Sequence, residues 1–249
     1  ELLEESWRDR SLRPALALLL GKALVRTGRY ARAEEVLADV AARSPGNLEV
    51  GDALAALFEH QKKYDEAIAV YEGLSRSGGS EAPYLKDRIG SLHFQAGRYR
   101  EAIRALEEGR AIDPEDPRGL LTLAQAYEAI GGTELALARY DDLLRLDPAN
   151  LEARFHRARL LQKERGSEEA LRAYREIPDR AAARGALPER EAIVLALAHA
   201  QIGIIEMASR NYGAAAAALA QAVDALEDPD SDLFVLLAVR RVRSAPQRA

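Results

Sequence analysis

Small side chains recur in step along this chain. Ala33, Ala67, Ala102, Ala136, Ala170 and Ala215 fall in the related stretches RYARAEE, KYDEAIA, RYREAIR, TELALAR, SEEALRA and NYGAAAA, at spacings of 34, 35, 34, 34 and 45 residues. Twelve positions before each stands another small residue: Gly21, Ala55, Gly90, Ala124, Ala158 and Gly203. Glycine inside a helix costs about 1 kcal/mol relative to alanine, so three glycines in one phase predict a packing reason. That reason is close approach, since antiparallel helices come within about 8–10 Å only where facing side chains are small. Each unit therefore reads as a hairpin, helix A carrying the first small column and helix B the second. Four residues beyond each helix-B alanine lies a large residue on the same face: Leu37, Tyr71, Leu106, Tyr140, Tyr174 and Leu219. These are expected to fill the space between neighbouring hairpins.

The punctuation has the same period. Between the two helices stand Thr27-Gly28-Arg29-Tyr30, Gln61-Lys62-Lys63-Tyr64, Ala96-Gly97-Arg98-Tyr99, Ile130-Gly131-Gly132-Thr133 and Arg210-Asn211-Tyr212-Gly213, where Gly or Asn, in all but the second, supplies the turn. After helix B come Ser44-Pro45-Gly46-Asn47, Ser77-Gly78-Gly79, Asp113-Pro114, Asp147-Pro148 and Asp228-Pro229, each a helix stop. Repeat five departs, with Glu164-Arg165-Gly166-Ser167 at the inter-helix turn and Pro178 early in helix B. Residues 178–189 then break the rhythm, predicting a loop or bend before a longer helix A that starts near Pro188.

A small residue, then Gly-x-Tyr-x-x-Ala, then a large residue and a closing proline at this period resemble the tetratricopeptide repeat family over residues 14–229. The aromatic that usually opens helix A is replaced by Ala17, Gly51, Lys86, Leu120 and Arg154. The resemblance implies an all-α, right-handed α-α superhelix of about six antiparallel hairpins, at residues 14–47, 48–82, 83–116, 117–150, 151–187 and 188–229. Residues 1–13, with Leu2, Leu3 and Trp7, then read as the remnant of an upstream helix B, and residues 230–249 as a C-terminal capping helix and tail.

The family's concave wall is built mainly from helix A, and its phase carries over residue by residue. It implies partner-binding positions at Lys22 and Arg26 in repeat one, Asp52 and Glu59 in repeat two, and Tyr84, Asp87, Ser91 and Phe94 in repeat three. Arg118 and Gln125 follow in repeat four, and Phe155, Arg159 and Lys163 in repeat five; Leu18, Ala56, Leu121 and Glu152 share the wall. Leu197, Ala200, Ile204 and Met207 make it apolar in repeat six. The wall is thus expected to run from basic through acidic to basic, and to suit an extended segment or amphipathic helix of a protein partner. A subgroup of the family grips a C-terminal carboxylate with Lys and Asn, but the wall carries no Asn here.

Composition narrows the functional classes. The chain has 48% hydrophobic but only 6% aromatic residues, mostly the helix formers Ala and Leu. The net charge of -5 comes without a long block of either sign, which argues against a nucleic-acid or anionic-membrane surface. Only Lys22, Lys62, Lys63, Lys86 and Lys163 among the 35 basic residues are lysines, a bias of GC-rich, bacterial sequences. Cysteine is absent, so no disulfide, thiolate metal site or cysteine nucleophile exists, and the compartment stays open. No stretch is expected to reach membrane-span length. The chain opens on Glu1, which suggests a processed or excised piece.

Candidate chemistry is sparse. His60, His93, His156 and His199 are scattered, with no pair at ligand spacing. The run Asp228-Pro229-Asp230-Ser231-Asp232 imitates half a calcium loop but has Leu233 and Val239 where Gly and Glu are needed. No phosphate loop, nucleophile elbow or metalloprotease signature is present. The expectation is a non-catalytic protein-interaction scaffold without cofactor or metal. The alternatives are a self-assembling array, through a homo-oligomer at the C-terminal end, and a helical-repeat RNA binder.

Overall fold

The computed structural model describes residues 14–76 and 83–225, which form helices and connecting turns with no strand among them. The twelve described helices are α1 (Pro14–Arg26), α2 (Tyr30–Arg43), α3 (Leu48–His60), α4 (Tyr64–Arg76), α5 (Pro83–Gln95), α6 (Tyr99–Ile112), α7 (Leu120–Ala129), α8 (Thr133–Leu146), α9 (Leu151–Arg165), α10 (Ser167–Ala182), α11 (Glu189–Ala208) and α12 (Tyr212–Asp224). They divide into two compact units, one ending at Gly132 and the other beginning at Thr133. The readings of residues 1–13 and 230–249, and the stops at Ser77-Gly78-Gly79 and Asp228-Pro229, lie outside the described residues.

In the first unit α1 pairs with α2, α3 with α4 and α5 with α6; α7 packs on α5 and α6. In the second, α9 pairs with α10 and α11 with α12, while α8 packs on α9. First helices of successive hairpins also touch, α1 with α3, α5 with α7 and α9 with α11, so each unit has a wall made from them.

The small-residue column does what its phase requires. A Cβ on Gly21 would lie 2.6 Å from Leu37 Cγ, and one on Gly203 2.6 Å from Leu219 Cγ. A Cβ on Gly90 would lie 2.8 Å from Leu106 Cδ2 and 3.3 Å from the carbonyl oxygen of Ala102. The large column therefore closes its own hairpin, where the sequence placed it between hairpins. All six of its members are buried. Leu37, with Val36 and Val40, also shares a core with Val50, Ala53 and Leu57 of the next first helix.

Five of the inter-helix turns share one geometry. The residue entering the left-handed region, Gly28, Lys62, Gly97, Gly131 or Arg210, has φ between 58° and 79°. Its N–H and that of the next residue close back on the helix, as in Gly97 N–H to Phe94 O and Arg98 N–H to His93 O, both 2.9 Å. At the last turn the sequence reading is corrected: Arg210, not Asn211, adopts the left-handed conformation. Asn47 and Asn150 then start α3 and α9, accepting from Val50 N–H at 3.2 Å and Ala153 N–H at 2.9 Å.

Pro178 does not stop α10, which runs on to Ala182. Ile177 and Ala181 are buried on either side of it, and that packing holds the last turns despite the lost N–H. The expectation about span length is also corrected. The 20-residue α11 is long and apolar enough to cross a membrane, and about half of that stretch is buried inside the protein. It carries buried His199 and Glu206, groups that hydrocarbon would penalise.

Candidate binding wall on the first helices of the hairpins

In the first unit the sequence brings carboxylates to the wall at Asp52 and Glu59 of α3, and the packing of α4 and α5 supplies their partners. The hydroxyl of Tyr71, from α4, donates to Asp52 Oδ1 at 2.9 Å, and that of Tyr84, from α5, donates to the same oxygen at 2.7 Å. Arg88 Nε donates to the Tyr71 oxygen at 2.8 Å, and Arg88 Nη2 pairs with Glu59 Oε1 at 2.9 Å. The guanidinium also lies over the Tyr71 ring, 5.4 Å from its centroid.

The electrostatics follow from this geometry. Burial, with the Asp52 carboxylate and against the pull of Arg88, raises the Tyr71 and Tyr84 hydroxyls above the usual tyrosine range, so both stay protonated donors. Burial alone would weaken the charge of Arg88, but the bond to Tyr71 and the charge of Glu59 outweigh it.

A second cluster adjoins the first. Arg118 lies in the loop before α7, not on a helix as its repeat position implied, and it grips Asp116 through Nε at 2.9 and 2.8 Å and through Nη2. Its guanidinium stands 5.6 Å from the centroid of the Tyr84 ring. The Arg118 bonds hold the Asp116 carboxyl below the usual carboxylate range. Asp87, half-buried on α5, faces this pair.

The remaining sequence-derived positions separate. Lys22 Nζ pairs with Glu49 at 2.7 Å, with both side chains largely in solvent. Arg26 is exposed in the last turn of α1, Leu18 is buried, and Ser91 and Gln125 are half-buried. The ring of Phe94 packs 5.5 Å from that of Tyr99. In the second unit Phe155 sits 5.7 Å from Tyr174, whereas Arg159 and Lys163 are exposed farther along α9. On α11, Ala200 is buried, Leu197 and Met207 are half-buried, and Ile204 is 38% exposed.

The expected acidic zone of the first unit has partners that the sequence reading did not give it. Asp52 and Glu59 are not a bare acidic patch, because Arg88 and two tyrosine hydroxyls from neighbouring helices satisfy them. The sequence reading missed Arg88 and gave Tyr71 a packing role only. One signal was available: a buried tyrosine needs a partner for its hydroxyl, and the large column holds three of them. Tyr174 obeys the same rule, donating to Gln162 Oε1 at 3.2 Å.

Comparison with known proteins agrees with this architecture. One tetratricopeptide repeat family model matches residues 1–57, 24–86 and 93–131, and a second matches residues 121–186. The TPR repeat-containing protein YpiA of Bacillus subtilis (strain 168) is 27% identical over 165 residues, 66% of this chain and 38% of that protein. The chain spans between 12% and 38% of the length of the curated relatives it matches. A tetratricopeptide repeat protein from Parabacteroides merdae superposes with a TM-score of 0.63 at 16% identity, covering 97% of this chain and 90% of that one. YrrB, described as a TPR protein with an unusual peptide-binding site, superposes with a TM-score of 0.54 at 14% identity, covering 74% and 94%. Hairpins closed by glycine against leucine, repeated at this period and matched by these models over most of the chain, make this protein a member of the tetratricopeptide repeat family.

Proposed function

We propose that the wall formed by α1, α3, α5 and α7 docks an extended or helical segment of a protein partner, and that it reads the segment through shape and aromatic contact more than through net charge. The observation that carries this reading is that Asp52, Glu59 and Arg118 are already engaged, by tyrosine hydroxyls, Arg88 and Asp116 in turn, which leaves Tyr84 and Phe94 as the wall's distinctive contact groups. The peptide-binding description of YrrB supports the class of ligand. The chain acts without catalysis, cofactor or nucleic acid, with affinities of about micromolar, typical of a modest interface.

Peptides selected for binding to the whole chain by display test this reading. Tyr84→Ala and Phe94→Ala should each weaken the selected peptides about tenfold, while the exposed Arg26→Ala changes binding less than about twofold. Affinity should fall less than about threefold between low and moderate salt. Dense charge in the selected peptides, with affinity collapsing in salt, would contradict it.

Ile204, exposed beside Leu197 and Met207 on α11, favours a second reading: self-association through the C-terminal end. Sedimentation independent of concentration would remove that reading. Absence of binding to single-stranded RNA at low salt would exclude the RNA alternative.

A further inference from the structure

We propose that Asp87 is a proton-operated latch between the third hairpin and the loop leading into α7, gripping the Asp116–Arg118 arm when neutral and loosening it when ionised. The carboxyl is seated against two glycines. A Cβ on Gly119 would lie 2.5 Å from Asp87 Oδ1, and one on Gly109 3.1 Å away. Gly119 has φ +67°, a conformation that further favours glycine. Asp87 Oδ2 is buried with no hydrogen-bond partner, in a crevice of about 10 Å³ shared with Leu106, Leu120 and Leu123.

The charged groups facing it come from three directions. Arg110, from α6, is turned to Glu107 at 3.7 Å, and Asp113 ends the same helix. Asp116 and Arg118 come from the loop, and Arg118 is committed to Asp116. On α5 itself, Arg88 is committed to Tyr71 and Glu59. An ionised Asp87 therefore holds a charge that no donor meets, beside a second carboxylate competing for one guanidinium. One proton removes that conflict: a neutral Asp87 carboxyl no longer repels Asp116 and gains an O–H to give. Burial, and then the charge of Asp116, raise the Asp87 titration to about 6 against the opposing pull of Arg118, so the latch works near neutral pH. It is a property of the fold and stands whether or not the wall docks a partner.

The test uses the whole chain and Asp87→Asn. Amide exchange of residues 113–119, corrected for intrinsic rates, is measured at about pH 5 and about pH 8. In the wild type it should be about five- to tenfold slower at the acid value, and in Asp87→Asn slow at both. Carboxyl ¹³C shifts of the wild type should place Asp87 near 6. Titration of Asp87 at the usual value of about 4, or an equal pH dependence of exchange in both proteins, overturns the proposal. If Asp87→Asn does not fold, the wild-type titration alone decides.

Discussion

Leu106 occupies the volume that a side chain on Gly90 would need, and the two lie on opposite helices of one hairpin. Gly90→Ala gains helix propensity but forces Leu106 and the backbone at Ala102 apart, and overpacking of this kind costs about 1–3 kcal/mol. Urea denaturation should show that loss. It should shrink in the double variant with Leu106→Ala, whose cost is then less than the sum of the single costs, because the two residues share one space. Additive costs would mean that they do not meet.

Lys62 and Arg210 carry side chains where Gly28, Gly97 and Gly131 stand in the equivalent turns. The left-handed conformation crowds a Cβ and penalises both. Lys62→Gly and Arg210→Gly should each stabilise the protein by about 0.5–1 kcal/mol, after the larger chain entropy of glycine in the unfolded state is deducted. Melting temperatures of the two variants check this, and a decrease in both would count against the turn geometry.

Tyr71 is both donor and acceptor, giving its proton to Asp52 and receiving the Arg88 N–H. Tyr71→Phe keeps the buried ring but leaves Arg88 Nε without that acceptor. The expected cost is about 1–2 kcal/mol by chemical denaturation. Arg88→Met, which removes the charge along with the donor, should make Tyr71→Phe cheaper in its background.

His199 is 8% exposed, its Nδ1 is buried without a partner, and burial lowers its pKa below the ordinary histidine value of 6.5. The unfolded chain takes up a proton first as pH falls. The stability His199 contributes is therefore present above about 6.5 and lost as pH drops through the lower folded value. Asp87 has the opposite sign: its raised folded value means that its contribution is present below 3.8 and lost as pH rises through about 6. His199→Leu should remove a loss of stability on going down from about pH 6.5, and Asp87→Asn a loss on going up from 3.8 to about 6. Denaturation across the range from about pH 4 to about pH 8 separates the two, because the variants change the slope of the curve in opposite directions.

Much of the fold was legible because it is local. The recurrence of Gly21, Gly90 and Gly203, each twelve residues before a helix-B alanine, specifies where two helices nest, and the nearby turns specify where they reverse. Helix ends were less legible. Pro178 reads as a stop until the burial of Ile177 and Ala181 is known, and Arg118 reads as helical until Gly119 is seen in its left-handed conformation. On the wall, Asp52, Glu59, Tyr84, Asp87 and Arg118 could be named from repeat phase, yet their charge state and partners could not. Tyr71 and Arg88 meet Asp52 and Glu59 across 19 and 29 residues of sequence. Such partnerships depend on which neighbouring helix faces them, not on any spacing within one helix.

By itself, the sequence determined that this protein is a run of helical hairpins, since small side chains recurring in step admit close helix contact at those places. Tertiary structure alone decided that Asp52 accepts from two tyrosine hydroxyls and that Glu59 pairs with Arg88, and that Asp87 is left without a donor. The physical reason is that helix nesting follows from side-chain volume, which each residue carries with it. The state of a charge follows instead from burial and from the groups that folding brings within hydrogen-bond reach.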